Sequence, residues 1–222
     1  MFVSVKKALV VSPHTDDAIL GAGGFIYKLA KHGAHIDYMV FTTCGDSLIG
    51  TEFPNGQLAK EDRKAASFLG ASRIIYHDFE NKHLQKSRQE ILDLMYPYRN
   101  DPQLDLVLAP YPGDIHQDHR TVAEEAVRAF TRNHVSLLQY PILGTCKDFN
   151  PNLYIPLSEE EADTKIKALS EYKTQMKLRG TWFNPDRFWA SLKHDGVYVN
   201  TSFAEAFMLA KGTWNTSSQR DR

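Results

Sequence analysis

The segment ALVVSPHTDD, residues 8–17, sets a pattern that much of the chain repeats. Its first four residues are apolar without interruption, and Ser12-Pro13 ends the run. A short apolar run between turn residues is typical of a strand buried on both faces, as in a parallel sheet. We therefore predict a central strand that places His14-Thr15-Asp16-Asp17 just beyond its carboxyl end.

Further apolar runs alternate with stretches long enough to form helices. Strands and helices that alternate in this way predict an α/β fold, with a mostly parallel sheet flanked by helices. Such sheets bind ligands at the carboxyl ends of their strands. The predicted strands are residues 8–11, 36–43, 73–79 and 104–109, and the predicted helices are residues 25–32, 60–69, 87–96 and 120–132.

A run of small residues, Gly21-Ala22-Gly23-Gly24, lies between the first polar cluster and the first predicted helix. A glycine-rich turn could cradle a phosphate, but this run lacks the GxGxxG spacing of dinucleotide-binding loops. Close packing of a helix against a strand is therefore the favoured interpretation, because glycine lets two backbones approach each other.

The last third of the chain is less regular. Residues 136–143 and 153–157 have the composition of strands, and Ser158-Glu159-Glu160-Glu161 matches a helix capping box. That helix is expected to continue to about Leu178, before a segment rich in Trp and Phe at residues 181–192. We expect a single domain over residues 1–222. Its parts are a core of about 1–135, a smaller C-terminal α/β portion of about 136–213 and a frayed tail at 214–222.

The composition is that of an ordinary soluble globular protein, with 42% hydrophobic and 24% charged residues and a formal net charge of −1. Proteins that bind nucleic acid are usually more basic, so we expect no such partner. The two cysteines, Cys44 and Cys146, are expected to be reduced thiols. The N-terminal apolar run is too short for a signal peptide or a membrane span, so a cytoplasmic protein without membrane insertion is expected.

A second polar cluster, His116-Gln117-Asp118-His119, follows the strand predicted at residues 104–109. Both clusters should therefore meet at the carboxyl edge of the sheet. Imidazole and carboxylate groups bind zinc, and a catalytic zinc keeps three protein ligands and one open position. His14 and Asp17 are close enough in one turn to converge, and His119 is the best third ligand for a single zinc ion.

The other residues of the two clusters have expected catalytic roles. Asp16 is expected to act as the general base toward a water that zinc activates. His116 is expected to stabilise the oxyanion formed by attack on an amide, with Asp118 fixing its tautomer and holding it protonated. Helix capping by the aspartates is an alternative, but capping does not explain three histidines in two short turns.

The sequence leaves two other functions open. A metal-dependent phosphoesterase usually holds two metals and needs more bridging carboxylates than the sequence offers. A non-catalytic sugar- or nucleotide-binding module would have no use for Asp16 beside a metal site, and the fold alone does not decide between these functions.

These residues resemble the PIG-L/LmbE-like superfamily of N-acetylglucosaminyl deacetylases. Its opening signature is a histidine, any residue, two aspartates and a Leu-Gly-x-Gly-Gly turn, and residues 14–24 match it, with Thr15 replacing the usual proline and Ala18 the usual glutamate. Its second signature, HxDH, is intact at residues 116–119. Further likenesses lie at residues 88–92, 114–119, 172–175 and 204–207.

The resemblance implies a Rossmann-like fold, a zinc ion and the residue roles given above. It also implies the activity, removal of an N-acyl group, expected to be N-acetyl, from an amino sugar or a conjugate of one. The expected partner is thus a small-molecule amino-sugar substrate. Relatives often form trimers or hexamers, so a homo-oligomer is possible.

Several side chains could contact the substrate. Asp46 follows the second predicted strand and could bind sugar hydroxyls, and His83 lies near the end of the third. Four cations could hold a phosphate or carboxylate of a sugar conjugate, or simply be solvated: Arg63, Lys82, Arg88 and Lys173. Four aromatic residues could stack on a sugar or, as is favoured, form a small core or subunit interface: Trp182, Phe183, Phe188 and Trp189.

Overall fold

The structure, a computed structural model, describes residues 5–213 of the chain. The tail expected at residues 214–222 lies outside the described residues. The strands are β1 (Lys7–Ser12), β2 (His35–Val40), β3 (Arg73–Tyr76), β4 (Leu104–Pro110), β5 (Ser136–Tyr140), β6 (Leu153–Leu157) and β7 (Phe203–Lys211). The helices are α1 (Asp17–Lys31), α2 (Gln57–Phe68), α3 (Arg88–Arg99), α4 (Gln117–Phe130), α5 (Glu159–Leu169), α6 (Lys173–Arg179) and α7 (Pro185–Val197).

The strands form a seven-stranded sheet in the order β3-β2-β1-β4-β5-β7-β6. The first five run parallel, while β7 is antiparallel to β5 and β6 is antiparallel to β7. The predicted α/β fold with a mostly parallel sheet is therefore confirmed. The chain moves outward from β1 in one direction to β2 and in the other to β4, so a crevice opens between the carboxyl ends of β1 and β4.

Strand β1 lies at the centre of two apolar layers. Ala8 and Val10 face a layer that contains α1, α2 and α5, whereas Leu9 and Val11 face a layer that contains α3 and α4. Burial on both faces explains why the run at residues 8–11 is apolar throughout instead of alternating. It also holds the polar segment that follows β1 on a rigid strand end.

Helix α1 begins at Asp17, eight residues before the predicted start at Phe25, so the glycine run lies inside the helix and not in a turn. A side chain in place of either of two glycines would collide with its neighbours. A Cβ at Gly21 would lie 2.3 Å from Tyr140, and one at Gly24 would lie 2.4 Å from Leu157. The close-packing interpretation of this run is confirmed.

A buried ion pair also packs into α1. Glu205 accepts hydrogen bonds from the backbone N–H groups of Gly24 at 2.9 Å and Phe25 at 2.7 Å. Lys165 Nζ lies 2.7 Å from Glu205 Oε1 and donates to the Leu20 carbonyl, also at 2.7 Å. Elements β7 and α5 are thereby tied to the helix whose first residue is Asp17.

The C-terminal portion differs from the prediction in two ways. The helix expected to run to Leu178 is two helices, α5 and α6, because the chain turns at Tyr172, whose side chain is fully buried. Strand β7 was not predicted. Within the aromatic segment, Phe183 and Phe188 are buried in the core as favoured, while Trp182 is 38% exposed.

Within residues 5–213, no helix combines the length and the apolar character needed to cross a bilayer. Cys44 and Cys146 are free thiols, as expected.

Candidate metal centre and active site

Three side chains from the two polar clusters converge in the crevice between β1 and β4. His14 Nδ1 lies 2.8 Å from Asp17 Oδ2 and 3.1 Å from His119 Nε2. His119 Nε2 in turn lies 3.2 Å from Asp17 Oδ2. All three side chains are buried, so their polar atoms face one another instead of water.

The partners on the far side of each imidazole show what these atoms can bind. His14 Nε2 lies 3.1 Å from Asp118 Oδ2, and His119 Nδ1 lies 2.9 Å from Asp114 Oδ2. A carboxylate only accepts, so in the neutral rings these nitrogens carry the hydrogen and leave lone pairs on His14 Nδ1 and His119 Nε2. Two lone pairs and a carboxylate oxygen then face one another, which is unfavourable unless protons or a metal cation lie between them. Burial opposes a proton here, but the charge of Asp17 and the hydrogen bond with Asp114 outweigh it and raise the pKa of His119 to about 9, so the site attracts positive charge. This donor set, with its outer carboxylates, fits a divalent metal such as zinc.

His116 is the other histidine near this point. The ligand atoms of His14, His116 and His119 lie within 4.8 Å of one another, so the three histidines form an alternative donor set. We favour Asp17 over His116 as the third ligand because its carboxylate oxygen is within 3.2 Å of both other ligand atoms. The ring of His116 stacks on His119, with centroids 4.3 Å apart.

The expected pairing of Asp118 with the His116 ring is absent, and this prediction is corrected. The Asp118 carboxylate accepts from His14, from the Lys82 backbone N–H at 2.7 Å and from the Leu84 backbone N–H at 3.1 Å. Asp118 lies in the first turn of α4, so its side chain points toward the loop after β3. It orients the proposed metal ligand His14.

The expected imidazolium at position 116 is also not supported. His116 is the N-cap of α4, and its Nδ1 accepts the backbone N–H of Asp118 at 3.2 Å. Burial, followed by the neighbouring His119 and His14, lowers the pKa of His116 to about 4. The neutral ring then carries its hydrogen on Nε2, which can still donate to an oxyanion.

Asp16 is buried beside Asp17, and a residue of the C-terminal portion of the chain holds its carboxyl group in place. Its Oδ2 accepts a hydrogen bond from Gln175 Nε2 at 2.9 Å, and Gln175 Oε1 accepts one from Arg179 Nε at 2.9 Å. Burial, and then the negative charge of Asp17, raise the pKa of Asp16 to about 6. A carboxyl group with a raised pKa is a stronger base when ionised, as the predicted role requires.

A cavity of about 500 Å³ opens onto these residues. Its floor includes His14, Asp16, Asp17, His116 and His119. Much of the rest of its wall is apolar, and it also contains Asn81, Lys82, Gln175 and Arg179. The apolar residues of the wall are Leu20, Leu48, Leu58, Ile142, Leu143, Leu178 and Trp182.

Lys173 does not belong to the wall of this cavity, and neither do four other side chains predicted to contact the substrate: Asp46, Arg63, His83 and Arg88. Arg88 forms ion pairs with Glu124 and Glu125, and Arg63 lies 4.8 Å from the ring centre of Tyr76.

The other two also have partners within the protein. His83 lies 3.5 Å from Glu80, and Asp46 accepts from Asn81 Nδ2 at 3.0 Å. Asp46 thus affects the cavity only by orienting Asn81, which lines it. Arg63, His83 and Arg88 contact other residues outside the cavity.

Residues 9–130 match the model of a protein family described as PIG-L, GlcNAc-PI de-N-acetylase. The chain belongs to the PIG-L family. A sequence relative, the diacetylchitobiose deacetylase of Thermococcus kodakarensis, is 27% identical over 195 residues, which cover 78% of this chain and 72% of the relative.

Two solved structures share the fold of this PIG-L protein. A conserved protein of Thermus thermophilus has a TM-score of 0.76 and 23% identity, with 96% of this chain and 99% of that chain covered. A 4-carboxy-2-hydroxymuconate hydratase of Pseudomonas putida also has a TM-score of 0.76, with 18% identity and coverage of 96% and 100%. Because a hydratase shares the fold, the fold alone does not identify the reaction.

Two residues of this PIG-L site were not among the predicted site residues. Asp114 accepts from His119, from Thr145 Oγ1 at 2.7 Å and from Cys146 Sγ at 3.0 Å. Its position just before the second cluster was a usable signal, because ligand histidines usually donate to a carboxylate. Gln175 belongs to the family likeness at residues 172–175, which was its signal in the sequence, but its partner Asp16 is 159 residues away and no local pattern links the two.

Proposed function

We propose that this protein is a zinc-dependent hydrolase that removes an N-acyl group, specifically N-acetyl, from an amino sugar or amino-sugar conjugate. The observation that carries the proposal is the convergence of His14, Asp17 and His119 beside the buried carboxyl of Asp16. The family and its deacetylase relative supply the reaction class.

The residues of the chain divide the work of amide hydrolysis. Zinc held by His14, Asp17 and His119 would supply Lewis acidity to the water and to the acyl carbonyl. Asp16, fixed at Oδ2 by Gln175, takes a proton from the attacking water and later returns it to the leaving amine. His116 donates its Nε2 hydrogen to the oxyanion as a neutral imidazole. The C–N bond breaks as the amine takes this proton, and the products are a free amine and a carboxylic acid that loses its proton to solvent.

The cavity is consistent with a substrate of this kind. Binding sites for small molecules are mostly apolar with a few polar groups that orient the ligand, and this cavity has both. Trp182 is partly exposed in its wall and could stack on one face of a sugar ring.

The test is to incubate the zinc-loaded protein with a panel of N-acetyl amino sugars and nucleotide sugars and to measure released acetate. Zinc should be counted in the same sample by elemental analysis, with one ion per chain expected. The matched control is Asp16→Asn, which keeps the proposed ligands. If the zinc-loaded wild-type protein released no more acetate than this variant from any member of the panel, the proposed function would be wrong.

A further inference from the structure

Two cations in the cavity wall have no carboxylate partner. Lys82 and Arg179 both line the cavity, and neither forms an ion pair with an acidic side chain between residues 5 and 213. Other cations near them in the sequence have acidic partners, and Lys177 of α6 pairs with Glu52. Lys86 and Arg88 also have acidic partners. Lys82 and Arg179 are the lysine and the arginine of the cavity wall, and both are unpaired within residues 5–213; Lys173 on α6 is unpaired as well but does not line the cavity.

Arg179 is held in place through one edge of its guanidinium group. Its Nε donates to Gln175 Oε1 at 2.9 Å, and Gln175 Nε2 donates to Asp16 at 2.9 Å. The terminal amino groups of Arg179 form no hydrogen bond within residues 5–213. A planar fork of this kind matches the geometry of a carboxylate or phosphate, with which it can form two parallel hydrogen bonds.

Lys82 is fixed by its backbone. Its φ is 66°, in the left-handed region that a lysine seldom adopts. The Lys82 N–H donates to Asp118 Oδ2 at 2.7 Å, and its carbonyl accepts from the Gln117 side chain. Backbone strain of this kind persists where the surroundings impose it and is concentrated at functional sites. Here the constrained backbone fixes the position from which the Lys82 side chain enters the cavity wall, beside the proposed metal centre.

We propose that Lys82 and Arg179 form an anion subsite for a phosphate or carboxylate substituent on the N-acyl amino sugar. This inference rests on the proposed function and narrows its substrate class to anionic conjugates. Leu143, Leu178 and Trp182 form an apolar part of the same wall, which suits the uncharged face of the sugar. The two cations come from different elements, the loop after β3 and the end of α6, so the substituent would bridge the core and the C-terminal portion.

The experiment compares three N-acetyl sugars that differ in charge. They are methyl N-acetylglucosaminide, which is neutral, N-acetylglucosamine 1-phosphate and N-acetylmuramic acid. The readout is the ratio of kcat/KM for each anionic sugar to kcat/KM for the neutral sugar, in wild type, Lys82→Ala, Arg179→Ala and the double variant. Lys177→Ala is the control, because it removes an exposed charge from α6 that is paired with Glu52.

We expect the wild-type ratio to be about 10 or more for at least one anionic sugar, since a hydrogen bond to a charged group typically contributes that factor. Each single variant should lower the ratio several-fold, mainly through KM, and the double variant should bring it close to one. Loss of Arg179 also frees Gln175, but a change in kcat that is common to all three sugars cancels in the ratio. Whichever anionic sugar responds identifies phosphate or carboxylate as the group recognised.

A ratio near one in wild type, or an unchanged ratio in the double variant, would overturn the anion subsite. If none of the three sugars released acetate, the deacetylation proposal would lose support. The subsite would still be tested by calorimetry with the same sugars, because the phosphate or carboxylate should strengthen binding only while Lys82 and Arg179 are present. Equal dissociation constants for neutral and anionic sugars would then contradict the subsite independently.

Discussion

At the scale of single residues, two carboxylates outside the proposed ligand set control the orientation of the ligand histidines. Asp114 and Asp118 each accept from the far nitrogen of one imidazole, so the near nitrogens present lone pairs to the same point. Partners of this kind commonly contribute about 10–100-fold to metal affinity. At position 18, where the superfamily usually has a glutamate, this chain has an alanine that is completely buried.

We therefore expect Asp118→Asn and Asp114→Asn each to weaken zinc binding by about 10–100-fold, because the carboxamide no longer favours the ligating tautomer. Removing a ligand outright, as in His119→Ala, should have a larger effect. The measurement is a competition titration with a zinc chelator, with His194→Ala as the control, since His194 is exposed and pairs with Asp195. Unchanged zinc affinity in Asp118→Asn together with a lower kcat would restore the originally predicted role beside His116.

Substitutions of the general base, Asp16, and of its positioning residue, Gln175, should lower kcat to different extents. Asp16→Asn is expected to keep zinc and to lower kcat by about 10²–10⁴-fold, because an amide cannot take up the proton of water. Gln175→Ala should lower kcat by a smaller factor, with zinc content unchanged, because Asp16 remains but loses the hydrogen bond that orients it. Lys177→Ala, which removes an exposed charge from the same helix, is the control. Near wild-type kcat in zinc-loaded Asp16→Asn would remove Asp16 from the mechanism.

At the scale of secondary-structure elements, α1 depends on charges from outside itself. The first residue of α1 is Asp17. Near the middle of this helix, Glu205 accepts a backbone hydrogen bond and forms a buried ion pair with Lys165. The close approach at Gly21 and Gly24 brings these groups within reach of the helix backbone. The position of a proposed ligand thus depends on β7 and α5.

We expect Lys165→Met to destabilise the protein by about 3–5 kcal/mol, because it leaves the Glu205 charge buried without its cation. The measurement is the free energy of unfolding from urea titration. Lys167→Met on the same helix is the matched control, since Lys167 is exposed, its partner Asp163 is only partly buried, and such pairs contribute at most about 1 kcal/mol. Equal stabilities of the two variants would show that the buried pair does not support α1.

At the scale of the whole molecule, one buried carboxyl joins the core, the C-terminal portion and the site. Asp62 on α2 contacts the hydroxyls of Tyr38 at 3.2 Å, Tyr76 at 2.6 Å and Tyr172 at 2.6 Å. The Tyr172 hydroxyl also lies 2.7 Å from the carbonyl of Thr15, between His14 and Asp16. A hydroxyl has one hydrogen and a carbonyl only accepts, so both Tyr172 contacts are hydrogen bonds together when Asp62 carries the proton.

The ionisation of Asp62 should therefore make stability depend on pH. Burial raises the pKa of Asp62 from 3.8 to about 7, despite the three tyrosine hydrogen bonds. Between these values the unfolded chain loses the proton and the folded protein keeps it. The contribution of Asp62 to the free energy of unfolding thus falls as pH rises from about 4 to about 7 and is level above that.

Asp62→Asn is expected to abolish this contribution, because the amide imitates the protonated carboxyl and can donate to Tyr172. The measurement is the free energy of unfolding of both proteins by urea titration at several pH values. The variant should gain on wild type as pH rises from about 4 to about 7. A constant difference between the two proteins over that range would mean that Asp62 is ionised in the folded state.

The alternation of apolar runs with helical stretches was sufficient to predict the parallel sheet and its ligand-binding edge, and the clusters at residues 14–17 and 116–119 were sufficient to predict the convergence of His14, Asp17 and His119. Each of these inferences depends on residues close together in the chain and on a general property of parallel sheets, namely that the carboxyl ends of their strands share one edge. The start of α1 and strand β7 were missed. Local preference places glycine in turns, whereas packing against Tyr140 and Leu157 favours it here within a helix.

The finer parts of the site were decided only by tertiary contacts. Gln175 reaches Asp16 across 159 residues, and Asp118 reaches His14 across 104. Nothing in the local pattern distinguishes an aspartate that orients His116 from one that orients His14, because the contact between Asp118 and His14 exists only after folding. Likewise, Arg88 and Arg179 look alike in the sequence, and only the folded chain gives one of them carboxylate partners and places the other in the cavity wall. Hydrogen bonds and ion pairs act over a few ångströms in space, so the role of a polar side chain follows from what the fold places beside it.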